Sequence, residues 1–273
     1  MIQNLKKYTK ELSSMLEGHT TSSGHGDTCF VIWSQAKNKE ILDITLDSWL
    51  KVADALGLKI YVVTDDVTLN HRKIVYKKDC WQGEWNDALV QLKDKGYLNI
   101  ISVLDDFFLT SLPGSLDEIK AVLETYYSNG WKYLSLVPHP NAICTFGYKE
   151  LKIVDGYSKL DQSWKYRNSL QVSVWNVEHM IELVEQSKNI WFFEDTVSRV
   201  ESYYSVGKRL LKYRHIVEKG LLNYNSLIYT PIKAVSLLKK KKMSFNYRQL
   251  PLIPKIIASN IFIKLFGLRL HEK

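Results

Sequence analysis

A chain of 273 residues, 45% hydrophobic and 24% charged, is long enough for one sizeable α/β domain and has the composition of an ordinary globular protein. The net charge of +8 is concentrated at one end: residues 231–273 hold ten Lys/Arg against one acid, Glu272, leaving 27 basic and 28 acidic residues elsewhere, a balance of −1. That balance excludes a nucleic-acid-binding body over 1–230, and Cys29, Cys80 and Cys144, with no Cys-x-x-Cys pair, exclude a disulfide framework or a cysteine zinc site and suit a reducing cytoplasm.

The opening residues MIQNLKKYTKELSSMLEGHTT lack the apolar core of a secretory signal. Leu5, Tyr8, Leu12, Met15 and Leu16 fall at helical spacing and predict a short amphipathic helix. TCFVIW (28–33) reads as a first buried strand. In EILDITLDSWLKVADALG (40–57), Ile41, Ile44, Leu46, Trp49, Leu50 and Ala53 share a helical face, with Gly57 as the stop. LKIYVVTDD (58–66) is a second strand ending in acids, and HRKIVYKKD holds a short third. WNDALVQLKDKGY (85–97) is a helix ending at Gly96, followed by the fourth strand, LNIISVL. Strands alternating with helices predict a mostly parallel sheet covered on both faces, whose ligands sit at the carboxyl ends of the strands. Asp65, Asp66, Asp105 and Asp106 all stand at such ends.

Further on, SLDEIKAVLETYYSNG (115–130) is a helix with Ser115 or Asp117 as cap, and WKYLSLVP (131–138) a strand. YRNSLQVSVWNVEHMIELVEQ passes from strand to helix near Glu178. NIWFFED places Glu194 and Asp195 ahead of a helix expected from Thr196. No Gly-rich phosphate loop follows the first strand, where QAKNKE stands, so neither a P-loop nor a dinucleotide fingerprint is present.

Two adjacent carboxylates at a strand end bind a divalent cation or sugar hydroxyls, or form a solvated turn; the apolar Phe107, Phe108 and Leu109 that follow weigh against a plain turn. Successive strand side chains point to opposite faces, so one of Asp105 and Asp106 meets a ligand directly while the other caps, or reaches it through water. Asp65 and Asp66 either contact a nucleotide or end a strand. Trp81 and Trp85 either cover a base or fill the core. Asp195 suits a helix N-cap as well as a site.

Three blocks in order resemble the GT-A nucleotide-sugar glycosyltransferases of bacterial surface-polysaccharide assembly. WQGEWNDALVQLKDKGYLNIISVLDDFFL resembles their helix and strand leading into the acidic metal- and nucleotide-binding motif. SLQVSVWNVEHMIELVE resembles the acceptor-side strand and helix, and NIWFFED the Trp-x-x-Glu-Asp element that supplies the base in inverting members. The likeness covers roughly residues 28–220. It implies a GT-A, Rossmann-like fold and a nucleotide-sugar donor held by Asp65, Asp66, Trp85, Asp105 and Asp106. It also implies a divalent cation, Mn²⁺ or Mg²⁺, on Asp106 and His215, although Phe107 at the position of a second acid departs from the family's metal motif. Glu194 and Asp195 would be the catalytic carboxylates, with Glu194 deprotonating an acceptor hydroxyl and the reaction inverting. A sugar nucleotidyltransferase and a non-catalytic assembly protein on the same fold are the rival readings.

The segment 231–273 mixes KKKK (239–242) with an apolar stretch from Ile256 to Leu268. Interrupted by Lys264, that stretch is too short to span a bilayer. Basic residues beside an apolar helix suit an anionic membrane surface, so a GT-A-like domain over 1–230 is expected to carry a membrane-associating segment over 231–273. The expected place is the cytoplasm, at the inner face of the cell membrane, acting on a saccharide or lipid-linked saccharide acceptor. A basic helix packed on the domain is the competing reading.

Overall fold

The computed structural model describes residues 27–77, 80–138, 153–160, 167–195, 202–215, 217–218 and 221–222. The expected N-terminal helix, the helix from Thr196 and the basic segment 231–273 lie outside the described residues.

Strand β1 (Thr28–Trp33) is buried at every position because it lies mid-sheet with helices on both faces. Helix α1 (Lys39–Ala55) follows, then β2 (Lys59–Thr64), β3 (Lys73–Val75), α2 (Trp81–Asp94), β4 (Asn99–Leu104), β5 (Phe107–Ser111) and α3 (Leu116–Ser128). The second half contributes β6 (Tyr133–Ser135), β7 (Ile153–Val154), β8 (Tyr157–Lys159), β9 (Ser173–Asn176), α4 (Val177–Glu185), α5 (Ile190–Asp195), β10 (Tyr203–Val206) and β11 (Lys212–His215). Two short strands, Val217–Glu218 (β12) and Leu221–Leu222 (β13), close the described chain.

Nine strands form the main sheet in the order β3-β2-β1-β4-β9-β6-β10-β8-β7. The expected parallel arrangement holds for β3-β2-β1-β4, with Cys29 opposite Lys59 and Thr28 opposite Asn99. It is broken by β9, antiparallel to both β4 and β6. The start of β9 therefore lies beside the end of β4, bringing Gln171 and its neighbours to the carboxyl edge. β10 runs parallel to β6, and a hairpin of β7 and β8 closes the far side. Its turn, Asp155-Gly156, has positive φ at both residues (52° and 84°), the type I′ geometry that an Asp-Gly pair favours.

Alternation along β1 divides the core. Phe30 and Ile32 pack with α1 and α3 on one face; Cys29, Val31 and Trp33 pack with α2, α4 and Phe193 on the other. Burial among apolar neighbours pushes the Cys29 thiol up, as suits a structural cysteine. Helix α2 starts four residues earlier than the Trp85 start expected from the periodicity: Cys80 is its N-cap, Sγ accepting from the Gly83 amide at 3.4 Å. Helix α3 opens on a capping box, with Ser115 Oγ accepting from the Glu118 amide (3.1 Å) and Glu118 Oε2 from the Ser115 amide (3.0 Å). Among the described residues no helix is long and apolar enough to cross a membrane.

Strand β5 was not anticipated from the sequence. It leaves the main sheet directly after the two carboxylates and pairs antiparallel with β11, His215 opposite Phe107.

Candidate active site

The carboxyl edge of the parallel strands gathers the site. The first strand ends at Trp33 and the chain turns through Ser34 and Gln35 into a single 3₁₀ turn, Ala36–Asn38. This turn is held from two sides. Asp65, just past β2, accepts from the Ala36 amide at 2.6 Å. Asp105, just past β4, accepts from Ser34 Oγ (2.8 Å) and Asn38 Nδ2 (3.0 Å), both at Oδ2, while its own amide donates to the Trp33 carbonyl (3.1 Å). The two carboxylates thus tie a loop that has no glycine to shape it.

Asp105 is 9% exposed. Burial pushes its carboxyl up to about 6; the Asp106 charge adds to the rise, while the hydrogen bonds from Ser34 and Asn38 and the charge of Lys37 oppose it. Asp106 points elsewhere. Its carboxylate stands 3.5 Å from Nδ1 of His215, both side chains partly exposed. The alternation argument therefore gives the observed division: one acid turned into the fold, the other outward.

What places His215 there is the β5–β11 pair. The Trp49 indole of α1 donates to the Phe107 carbonyl (2.7 Å), and Ser48 Oγ accepts from the Leu109 amide (3.3 Å), fixing β5 to α1. The Phe107 ring stacks on Tyr213 at 4.8 Å and meets His215 edge-on at 4.5 Å. Tyr213 in turn hydrogen-bonds Gln171. The same segment ahead of β9 carries Leu170, whose amide donates to Oε1 of Glu194 at 3.1 Å.

Glu194 and Asp195 are the last two described residues of α5; the helix expected to follow them from Thr196 lies outside the described residues. Asp195 is exposed and Glu194 half-buried. Burial raises the Glu194 carboxyl; the Leu170 amide lowers it and the neighbouring Asp195 charge raises it further. The short helix is anchored by Phe193, which is fully buried against Trp81, Trp85 and Trp175, and whose carbonyl accepts from Asn168 Nδ2 at 3.0 Å.

Of the residues singled out in the sequence, Asp65 and Asp105 hold the loop after β1 and Asp106 stands beside His215, while Glu194 is tied to the segment ahead of β9 through Leu170. Asp66 stands at the same strand end but is engaged in a turn, accepting from the Thr68 amide (2.8 Å) and Thr68 Oγ1 (2.6 Å); those bonds lower its pKa. Trp85 is 7% exposed and lies flat on Trp33, ring centroids 3.8 Å apart, within the core cluster under α2, which favours the core-filling alternative over the donor contact. Ser34, Asn38, Gln171 and Tyr213 were not singled out. Each acts through a hydrogen bond to a distant segment, and only the position of Ser34 and Asn38 just past the first strand hinted at theirs.

Among the described residues no group of three or more His, Cys, Asp or Glu is arranged to hold a metal. Asp106 and His215 offer two donors. A carboxylate oxygen suits Mn²⁺ and Mg²⁺ and an imidazole nitrogen suits transition ions, so the pair fits Mn²⁺ better than Mg²⁺, with the remaining positions left to a ligand.

No family profile matches the chain, and no curated protein matches it significantly. Solved structures to which the fold is similar include A197 from STIV, at 14% identity and a TM-score of 0.38, covering 70% of this chain and 86% of that one. Residues 1–349 of S. aureus TarS are 13% identical with a TM-score of 0.40, covering 66% of this chain. This chain spans 60% of that fragment and 44% of the longer TarS structure. UDP-glucose pyrophosphorylase complexed with UDP-glucose is 9% identical with a TM-score of 0.38, each chain covered to 87%.

Proposed function

We propose that the protein is a glycosyltransferase that moves a sugar from a nucleotide-sugar donor to a saccharide acceptor. The observation that carries this reading is the meeting of Asp106 with His215, 3.5 Å apart, at the edge of the sheet where Asp105 and Glu194 are also fixed. Carboxylates at the carboxyl ends of parallel strands, beside a loop tied by Asp65 and Asp105, suit a ligand that carries hydroxyls and a diphosphate.

Each side chain has a part that its surroundings support. Asp106 and His215 would hold Mn²⁺, which when bound supplies positive charge to the leaving diphosphate. Lys37, whose charge is felt at Asp105, adds to the positive field there. Asp105 shapes the loop after β1 and receives donor hydroxyls. Glu194 takes the proton of the acceptor hydroxyl as that oxygen bonds to the sugar carbon opposite the departing diphosphate, so the configuration inverts. Its raised pKa makes it a better base than an exposed glutamate. Asp195, exposed beside it, is placed to bind the acceptor.

The basic, apolar segment 231–273 supports a lipid-linked acceptor, of the kind that builds O-antigen or capsule, and work at the cytoplasmic face of the membrane. Loss of binding to anionic liposomes on deleting 231–273 checks that part.

The central test is a thermal-shift titration of UDP, GDP, TDP and CMP sugars, each with and without Mn²⁺. A binder at about a hundred times its Kd raises the unfolding free energy by about 2.7 kcal/mol. The expected result is stabilisation by one nucleotide class that requires Mn²⁺ and is lost in Asp106→Ala and His215→Ala. No response to any nucleotide sugar would overturn the reading and favour a non-catalytic role. Release of diphosphate from a sugar phosphate and a nucleoside triphosphate would instead make it a nucleotidyltransferase.

A further inference from the structure

A single peptide unit connects Glu194 to the core. Because a peptide is planar and almost always trans, its C=O and N–H point in opposite directions. In the unit that joins Ser169 to Leu170, the N–H donates to Oε1 of Glu194 at 3.1 Å. The C=O of the same unit, on Ser169, accepts from the hydroxyl of Tyr133 at 3.1 Å. One plane thus links a carboxylate of α5 to a tyrosine of β6. Two hydrogen bonds in series also polarise one another, so a donor on the C=O makes the N–H a stronger donor to the carboxylate.

Tyr133 opens β6 and is fully buried. Its ring stacks on Tyr203, centroids 5.0 Å apart, and meets Trp175 edge-on at 4.4 Å, so the hydroxyl has little freedom to swing. The segment it holds, residues 167–170, lies outside any helix or strand although all four residues are buried. Two other anchors fix that segment: Asn168 Nδ2 donates to the Phe193 carbonyl (3.0 Å) and Arg167 Nε to the Leu160 carbonyl (3.3 Å). Neither touches the Ser169–Leu170 unit. Burial pushes the Tyr133 hydroxyl pKa up, and the charge of Glu194 is among the contributions that raise it further, so the two ends of the chain of bonds sense each other.

We propose that Tyr133 is a positioning residue for Glu194, pinning the Ser169–Leu170 peptide so that its amide holds the carboxylate in one orientation. This rests on the glycosyltransferase reading above, in which Glu194 is the base, and adds how that base is aimed.

The test is a ¹³C NMR titration of the glutamate carboxyl carbons in the full chain, with the Glu194 signal identified by its absence in Glu194→Gln. Tyr133→Phe keeps the ring and removes the hydroxyl. Freeing the peptide weakens the amide's hold on the ionised carboxylate, so the Glu194 pKa should rise by about half to one unit. Exchange of the Leu170 amide hydrogen should quicken with it. Ser115→Ala, which loosens the cap of α3, should lower the thermal midpoint and leave the Glu194 titration in place. In the wild type, the Tyr133 Cζ and Leu170 amide nitrogen shifts should follow the Glu194 midpoint, a readout that stands if Tyr133→Phe folds poorly. An unmoved Glu194 pKa in Tyr133→Phe, an equal shift in Ser115→Ala, or a Tyr133 Cζ that ignores the Glu194 titration overturns the proposal. Nucleotide-sugar thermal shifts on the same samples separate the two readings. Donor binding without the coupling sinks the positioning role alone. Coupling without donor binding sinks the transferase reading and leaves the hydrogen-bond chain. With both present, Tyr133→Phe should lower kcat about tenfold at unchanged donor Kd and move the acidic limb of the profile up with the Glu194 pKa. A kcat at the wild-type level would overturn the positioning role.

Discussion

Replacing Asp105 by Asn isolates the cost of keeping an ionised carboxylate inside the fold. Asp105 titrates at about 6 instead of its ordinary 3.8, with burial as the largest cause. A difference of roughly two pH units, at about 1.4 kcal/mol each, amounts to roughly 3 kcal/mol. The sign follows from proton binding. Between pH 3.8 and 6 the folded protein holds a proton on Asp105 that the unfolded chain has lost. The stability associated with this group is therefore fully present below its unfolded pKa and is lost as pH rises through the folded one. Asparagine keeps the shape and a carbonyl oxygen to accept from Ser34 and Asn38, and it does not ionise. The assay is urea denaturation of wild type and Asp105→Asn from pH 4 to pH 8. The stability of the variant relative to wild type should rise across that range by up to about 3 kcal/mol and then level off near neutrality. A difference that stays flat with pH would refute the reasoning, because Asp105 would then titrate as an ordinary exposed acid.

Three further outcomes follow from the same geometry. Glu194→Gln, which preserves an acceptor for the Leu170 amide, should lower kcat by about 10²–10⁴-fold with donor Kd unchanged. In the wild type the raised pKa of Glu194 should move the acidic limb of the kcat profile above the usual glutamate range, activity falling as pH drops through it. Trp49→Phe removes the N–H that satisfies the Phe107 carbonyl and should cost about 1–3 kcal/mol in urea unfolding, with faster amide hydrogen exchange in β5. Ser115→Ala removes one half of the capping box of α3 and should cost about 1 kcal/mol by the same measurement, leaving nucleotide binding untouched.

Those parts of the architecture that depend on local pattern were legible in the sequence. The run TCFVIW announced β1, and the apolar spacing of Ile41, Ile44 and Trp49 announced α1. Gly57 and Gly96, with φ of 71° and 87°, follow α1 and α2 as the expected stops. Asp105 and Asp106 were singled out by residue type and by their place at a strand end, Glu194 and His215 by the resemblance to a family motif. Features that depend on pairing between distant segments were not legible. Nothing local in Phe107–Ser111 says that it leaves the sheet to pair with Lys212–His215, and β9 does not advertise its antiparallel direction. Trp85 shows the converse failure. An aromatic near a candidate site reads the same on paper whether it faces a ligand or, as here, lies flat against Trp33.

The two adjacent carboxylates are coupled, and that coupling tests where a cation binds. The negative charge of Asp106 is one reason Asp105 holds its proton so far up the pH scale, although burial is the larger one. A cation seated between Asp106 and His215 would cancel that charge and lower the Asp105 pKa, while the burial contribution would keep it above 3.8. The stability lost through Asp105 ionisation should then be lost at lower pH in saturating Mn²⁺ than in a chelator. Repeating the urea titrations in both conditions, with Asp105→Asn subtracted as the baseline, reads this shift directly. If the window stays in place while Mn²⁺ still stabilises the protein, the ion sits away from Asp106. The pairing of Asp106 with His215 would then be a bridge between β11 and the β4–β5 turn that keeps the small sheet docked.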